Sequence, residues 1–220
     1  IGGESTRPGA KPVTAREQIA RVAPVVETLA AKLNIPLSVD TAKAAVAGQA
    51  LAAGAEIIND VSALGDGKMA SVIRDAQAAL VLMHRRGTPR TMQTGDLAYD
   101  DLLGEITAYL DKACRKAEAA GISRDHLAVD PGIGFGKTYD DNCRLIRKLG
   151  ELKTLGLPLL VGTSRKAFIG RVTGGAPSER LEGTAATVVA AVLNGARIVR
   201  VHDVAEMRKV ADMTDAILRA

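Results

Sequence analysis

The chain has 220 residues, 47% of them hydrophobic, which is enough for one sizeable core, and with no Trp, 2 Phe and 3 Tyr that core must be aliphatic. So few aromatics, and a net charge of only +4 spread over interleaved acids and bases, argue against nucleic acid as a partner, because single strands want stacking platforms and duplexes want clustered basic stripes. No apolar run approaches the roughly 20 residues that span a bilayer and no basic-then-apolar leader is recognisable, so no membrane contact is expected.

In chain order, Ile1-Gly2-Gly3 reads as the end of a strand already under way. The segment GGESTRPG at 2–9 then offers glycine amides, two hydroxyls and a guanidinium, a mixture that closes over a phosphate as readily as it forms a plain surface loop. Thr14 with Glu17 predicts a capping box, Ile19, Val22, Val26, Leu29 and Leu33 keep helical spacing behind it, and Pro24 predicts a kink. Strands are predicted at 37–41, 57–61, 80–84, 127–130, 157–163 and 198–202. Each is a continuous apolar run, as in parallel strands buried on both faces. Gly54, Gly121 and Gly195 stand where helices would stop, and Asp203 with Glu206 repeats the cap signature before the last helix. Cys114 and Cys143 lack CxxC spacing and paired histidines, and read as reduced, partly buried thiols of a cytoplasmic protein.

Strand alternating with helix predicts an α/β fold with a parallel sheet and right-handed crossovers. An open doubly wound sheet gathers its chemistry at one switch point, whereas a TIM (β/α)8 barrel collects it from many strand ends. Polar residues end nearly every strand here, which favours the barrel, as a single domain over 1–220. With the stub at Ile1 the strands number about seven against the eight of a closed barrel, so the first strand and its loop are expected to be missing from these residues.

Asp40, Asn59 and Asp130 end three separate strands, and in a barrel they converge on one mouth, where acceptors and an amide read the donor-rich edge of a heterocycle. Singly, each is as good a helix cap, Asp40-Thr41 above all. Thr163-Ser164-Arg165-Lys166 and Arg200-Val201-His202 follow the last two strands, where such barrels hold phosphate, or else their cations pair with Asp40 or Asp130 across the mouth. Met83 and His84 suit a pocket wall, although a lone His at a strand end is more often structural. His126 has no companion, and three histidines so scattered do not make a zinc site. After Asp130 the sequence Pro131-Gly132 forces a turn into a glycine loop carrying Phe135 and Lys137.

Taken in order, GGESTRPG at 2–9, SVDT at 38–41, INDV at 58–61, LMHRRGTPRTMQ at 82–93, VDPGIGFGKT at 129–138, GTSRKAFIG at 162–170 and VRVHDV at 199–204 resemble dihydropteroate synthase, a family of pterin-binding barrels, over essentially the whole chain. The resemblance implies condensation of 6-hydroxymethyl-7,8-dihydropterin pyrophosphate with 4-aminobenzoate to 7,8-dihydropteroate in folate synthesis. It implies catalytic roles for Asp40, Asp130 and Lys166, and a pterin held by these three with Asn59, Met83 and Arg200. It puts Thr6, Arg7, Arg200 and His202 on the pyrophosphate, and Thr6, Arg7, Pro8, Phe135, Lys166 and Ala167 around 4-aminobenzoate. It further implies Mg²⁺, sulfonamides as competitors, a homodimer and a cytoplasmic location.

Two departures stand out. The family's Asn-x-Thr-x-Asp-Ser loop, whose Asn ligates Mg²⁺, has no counterpart, so no metal ligand is expected in this chain. The position after Lys166, often a hydroxyl residue in the family, is Ala167. Two rival expectations are a corrinoid-linked methyltetrahydrofolate methyltransferase, which has no need of STRPG or SRK, and an inactive truncated pterin-binding protein.

Overall fold

The computed structural model describes residues 1–7, 9–88 and 90–220. After an extended start the chain runs through α1 (Ala15–Ala30), β1 (Ser38–Asp40), α2 (Ala44–Ala52), β2 (Ile57–Asp60), α3 (Met69–Asp75), β3 (Ala79–Met83), α4 (Leu102–Ala119) and β4 (Leu127–Asp130). It continues through α5 (Tyr139–Arg147), β5 (Leu160–Val161), α6 (Ala167–Thr173), α7 (Leu181–Leu193), β6 (Ile198–Val199) and α8 (Val204–Arg219).

Every strand pair is parallel, and neighbours in space are neighbours in sequence. β1 to β4 form one sheet and β5 pairs with β6. Bridges from Gly2 to Asp40 and from Val129 to Leu159 add the N-terminal stub and join the two sheets. Seven parallel positions in chain order, with helices between them, make this a TIM-barrel type of fold. Ile198, on β6, remains exposed.

Strand register decides which side chains face inward, because Cβ atoms alternate across a strand and register partners share a face. Asp40 is partner to Asn59, Asn59 to Val81, Val81 to Ala128, and Met83 to Asp130. These residues therefore share the inner face. Lower on that face Val81, Ala128 and Leu160 form a small cluster backed by Ile57. The opposite face carries Val39, Ile58, Leu80, Leu82 and Val129 into the main aliphatic core beneath the helices.

Local signals were met unevenly. Thr14 accepts the Glu17 amide at 3.2 Å, but the Glu17 carboxylate turns to Arg21, so the box predicted at α1 is half made. Pro24 lies inside α1, and its carbonyl accepts the Thr28 hydroxyl at 2.8 Å. A complete capping box closes α5, from Thr138 and Asp141. Asp203 does not cap α8 with its side chain, because Arg165 takes its carboxylate. Gly54, Gly121 and Gly195 do follow helix ends, with φ of +106°, +91° and +105°. Both cysteines are free, Cys114 buried and Cys143 exposed, so the expected partial burial of the second is corrected.

Asp60 points to the outer face and is fully buried. One oxygen accepts the Ser62 amide at 2.8 Å and its hydroxyl at 2.6 Å, and the other accepts the Leu64 amide at 2.7 Å. The turn so held includes Ala63 and Leu64 at φ of +49° and +66°, unfavourable for side-chain-bearing residues. Asp60→Ala is expected to lower unfolding free energy by about 3 kcal/mol, since charged acceptors are worth about 1.5–3 kcal/mol per hydrogen bond. Urea denaturation measures this, and a loss below about 1 kcal/mol would show the turn to be held by other means.

Candidate active site

Four of the inward residues meet at the C-terminal end of the strands. Asn59 donates through Nδ2 to Asp40 Oδ1 at 3.0 Å, and Arg200 reaches Asp40 Oδ2 at 2.5 Å from the far side of the mouth. The Asp40 side chain is only 14% exposed, while that of Arg200 is 59% exposed, so this ion pair lies at the rim. Asn59 is 4% exposed, and its Oδ1 is buried without any hydrogen-bond partner among the described residues. Asp40 is thus engaged by Asn59 and Arg200, not by the helix that follows, and the α2 amide at Ala44 is taken by Asp66 at 2.9 Å.

Asp130 is buried and accepts the Gly132 amide at 2.7 Å. Burial pushes its carboxyl above the ordinary range, opposed by Lys166, the Gly132 amide, Lys137 and Arg200. Lys166 is half-buried by surface area, yet its ammonium donates to the Ile133 carbonyl and lies 4.6 Å from the centre of the Phe135 ring. Loss of solvation lowers its pKa to about 8, against the pull of Asp130 and with the push of Arg200. Met83 is 2% exposed.

The loop after Asp130 is held by side chains that reach it from several elements. Lys137 donates to the carbonyls of Gly132 at 3.0 Å and Phe135 at 3.1 Å and sits 2.9 Å from His84 Nδ1. Asn142 on α5 accepts the Gly134 amide at 2.6 Å, Gln93 donates to the Gly134 carbonyl at 2.9 Å, and the Tyr99 hydroxyl donates to Gly136 at 2.8 Å. Gly132 has φ of +70°, and a Cβ there would lie 1.9 Å from the His84 carbonyl oxygen, so the strand crossing admits only glycine.

His84 is buried under this loop and is no pocket wall. Loss of solvation, with the charges of Lys137 and Arg86, drives its pKa to about 3, so the neutral ring accepts at Nδ1 from the Lys137 ammonium. Its edge packs on Tyr109 with centroids 4.8 Å apart.

Opposite the glycine loop stands a cationic corner. Arg165 forks onto Asp203, through Nε at 3.1 Å and through a terminal nitrogen. His202 is exposed and its Nδ1 lies 2.9 Å from Ser164 Oγ. Arg7 is exposed on the N-terminal loop, near enough that its charge, like those of Arg165 and Arg200, lowers the His202 pKa. Thr6 is half-buried, and Glu4 anchors the same loop by accepting the Val13 amide at 2.7 Å. Pro8, expected beside them, lies outside the described residues. Ala167 is exposed at the first position of α6.

Asp40, Asn59, Met83, Asp130, Lys166, Phe135 and Arg200 therefore belong to one mouth, with His202 and Arg7 on its cationic side. Arg165, grouped with these by sequence, is spent on Asp203. Sequence reasoning assigned nothing to Lys137, Asn142, Gln93 or Tyr99. For Lys137 and Asn142 a local signal exists, since both flank Thr138 of the α5 capping box directly after the glycines. Gln93 and Tyr99 lie in a long loop with no comparable pattern.

Comparison with known proteins places this arrangement. Residues 1–202 match the family described as pterin binding enzyme. The dihydropteroate synthase of Bacillus subtilis is 47% identical over 219 residues, spanning 99% of this chain and 74% of the relative. That of Synechocystis sp. is 45% identical over 221 residues, spanning 100% of this chain and 76% of the relative. A crystal structure of Yersinia pestis dihydropteroate synthase with a sulfonamide drug superposes with a TM-score of 0.96 at 41% identity, covering 99% of this chain and 79% of the other. The Xanthomonas albilineans enzyme with 4-aminobenzoic acid gives 0.94 at 42% identity, covering 100% and 78%.

The Lys137 ammonium carries a stability signature. Burial is the largest influence on it and lowers its pKa from 10.5 to about 7, so between those values the unfolded chain binds more protons than the folded one. Stability contributed by this group therefore rises as pH climbs through that window, by up to about 1.4 kcal/mol per pH unit. The difference in unfolding free energy between wild type and Lys137→Met, followed from pH 6 to 10 by urea titration, is expected to grow in favour of wild type. A difference independent of pH would contradict the assignment.

Proposed function

The chain belongs to the pterin-binding enzyme family, on its dihydropteroate synthase branch, and from that premise we propose how its own residues divide the work. The reaction joins 6-hydroxymethyl-7,8-dihydropterin pyrophosphate to 4-aminobenzoate and releases pyrophosphate, a step of folate biosynthesis. One observation carries the division of roles: Asn59 Oδ1 is a buried acceptor with no donor among the described residues, on a face it shares with two carboxylates. An orphaned buried acceptor costs about 1–3 kcal/mol, which a ligand N–H recovers on binding. A pterin edge, rich in ring N–H and amino donors, suits Asn59, Asp40 and Asp130 together.

In this reading Asp130 takes the amidine-like edge of the pterin, Asn59 and Asp40 the remaining donors, and Lys166 the ring carbonyl, over the thioether of Met83. Arg200 leaves Asp40 to lie on the ring and, with His202, Arg7 and Thr6, holds the pyrophosphate. Phe135, Lys166, Thr6, Arg7, Pro8 and the exposed amide end at Ala167 surround 4-aminobenzoate, the site at which sulfonamides compete.

Chemistry follows from where the charges stand. The bond between the pterin methylene and the pyrophosphate oxygen breaks with its electrons on oxygen, where cations fixed in advance stabilise them. The methylene cation left behind is delocalised into a ring flanked by Asp40 and Asp130. The amine of 4-aminobenzoate captures it and then loses a proton to the released pyrophosphate or to solvent. Because acids face the ring and bases the leaving group, the enzyme binds the separated charges of the transition state more tightly than the neutral ring of the ground state.

Among the described residues no three His, Cys, Asp or Glu side chains come together, so the donors here do not form a cage for the Mg²⁺ that the family resemblance implies. Mg²⁺ would instead be held through pyrophosphate oxygens of the substrate, hard oxygen ligands of the kind it favours. Among the described residues no helix is long and apolar enough to cross a membrane. A cytoplasmic location and one pterin-binding domain over 1–220 complete the proposal, together with a homodimer, for which exposed Met213 and Ile217, one turn apart on α8, are the support.

Asp130→Asn keeps the shape but not the charge, and is expected to lower kcat/KM for the pterin substrate about 100-fold or more, as for loss of one transition-state contact, while unfolding free energy moves far less. Pyrophosphate release dependent on 4-aminobenzoate is the assay, and unchanged steady-state kinetics would sink the role. The same kcat/KM is expected to fall as pH rises through about 8, where Lys166 gives up its proton. A profile flat from pH 7 to 9 would remove Lys166 from the pterin site.

A further inference from the structure

Ser164 follows β5 and is 6% exposed, and neither the reaction scheme nor the sequence motif gave its side chain a task. Among the described residues its Oγ has two hydrogen-bond contacts, the backbone amide of His202 at 3.2 Å and the Nδ1 of the same residue at 2.9 Å. A backbone amide only donates, so Oγ is already an acceptor there. If Nδ1 also carried a hydrogen, Oγ would accept twice and its own hydrogen would be left without a partner in a nearly dry site, an arrangement that folded proteins avoid. The satisfied alternative has the Ser164 hydroxyl donating to Nδ1, which leaves Nε2 with the only hydrogen on the ring.

That choice matters for the neutral form of His202, which its surroundings favour. Burial and the positive charges of Arg165, Arg200 and Arg7 push its pKa below the usual value, against the pull of Asp203. A neutral imidazole offers a donor on one side and a lone pair on the other, and the hydrogen bond made by one nitrogen settles which is which.

We propose that Ser164 is a positioning residue that holds the His202 ring in one orientation and as its Nε2–H form, so that the edge turned away from Ser164 presents a donor to the pyrophosphate of the substrate. This rests on the reading that His202 and Arg200 face that anion. The opposite tautomer would turn a lone pair on it.

Imidazole ¹⁵N spectra of the labelled full chain, with His202→Gln to assign the signals, test the tautomer without any ligand. Wild type is expected to show His202 as Nε2–H alone, Ser164→Ala an average of both forms, and Ser164→Thr, which keeps a hydroxyl, the wild-type pattern. Calorimetric titration with inorganic pyrophosphate near pH 8 is expected to be weakened about three- to tenfold by Ser164→Ala, as for one lost orienting hydrogen bond. The gap closes as pH falls through the His202 pKa, because the doubly protonated ring donates from both nitrogens. An Nδ1–H signature in wild type overturns the proposal even where the Ala variant does not fold. So does a Ser164→Ala protein with wild-type spectra and wild-type pyrophosphate affinity. A wild-type tautomer as expected, with pyrophosphate bound equally by wild type, Arg200→Ala and His202→Gln, overturns instead the anion-site reading, and with it the purpose given to the tautomer.

Discussion

The Lys137 Nζ, on a residue 2% exposed, lies within hydrogen-bond distance of three groups, the carbonyls of Gly132 and Phe135 and the Nδ1 of His84. A segment with glycine at 132, 134 and 136 has more conformational freedom to lose than any other of its length, so something must hold it. Here five consecutive carbonyls, from Gly132 to Gly136, each accept from a side chain: Lys137, Lys166, Gln93, Lys137 again and Tyr99. The loop is thereby clamped by its own Lys137, by the segment that precedes α4 and by the β5–α6 turn at once. Asp130, whose oxygen turns the chain at Gly132, and Phe135, against which Lys166 lies, inherit their positions from that clamp.

In its protonated form a buried amine of this kind tolerates only neighbours that do not add positive charge. His84 is neutral at any ordinary pH, so it accepts from Lys137 without repelling it. On the other side of the mouth the signs are reversed. Asp40 and Asp130 gather at the inner wall and the arginines at the rim, and Arg200 joins the two by resting on Asp40 across the mouth. That ion pair is half solvated and therefore weak, of order 1 kcal/mol or less, which suits a contact that must give way when ligand enters. The orphaned Asn59 oxygen complements it, a buried side-chain acceptor that nothing among the described residues satisfies.

Much of this was legible in the sequence. Continuous apolar runs between helix-period segments gave six parallel strands, and the polar residue ending each run marked the barrel over the open sheet. The cap at Asp203 failed because a bidentate arginine fork outbids a helix amide, and that partner, Arg165, stands 38 residues away in sequence. The half-made box at α1 has the same cause on a smaller scale, with Arg21 one turn on competing for Glu17. His84 looked like a wall residue because strand ends face the mouth, but the glycine loop folds over it. Such competitions depend on distances between remote segments, and no local pattern encodes them.

Alternation of strand and helix, the helix stops at Gly54, Gly121 and Gly195, the aliphatic core and the candidate acids at strand ends were all determined by the sequence itself, because they follow from backbone sterics and short-range periodicity. Tertiary structure alone decided the register, and register sets function here. One residue of slip between β1 and β2 would turn Asn59 outward and Asp60 inward, exchanging an unsatisfied reader for a structural carboxylate. Which of the two neighbouring polar residues meets the ligand is fixed by the packing of Ile58 and Leu82 into the helix-side core, since burying them on that face commits every second side chain to the mouth.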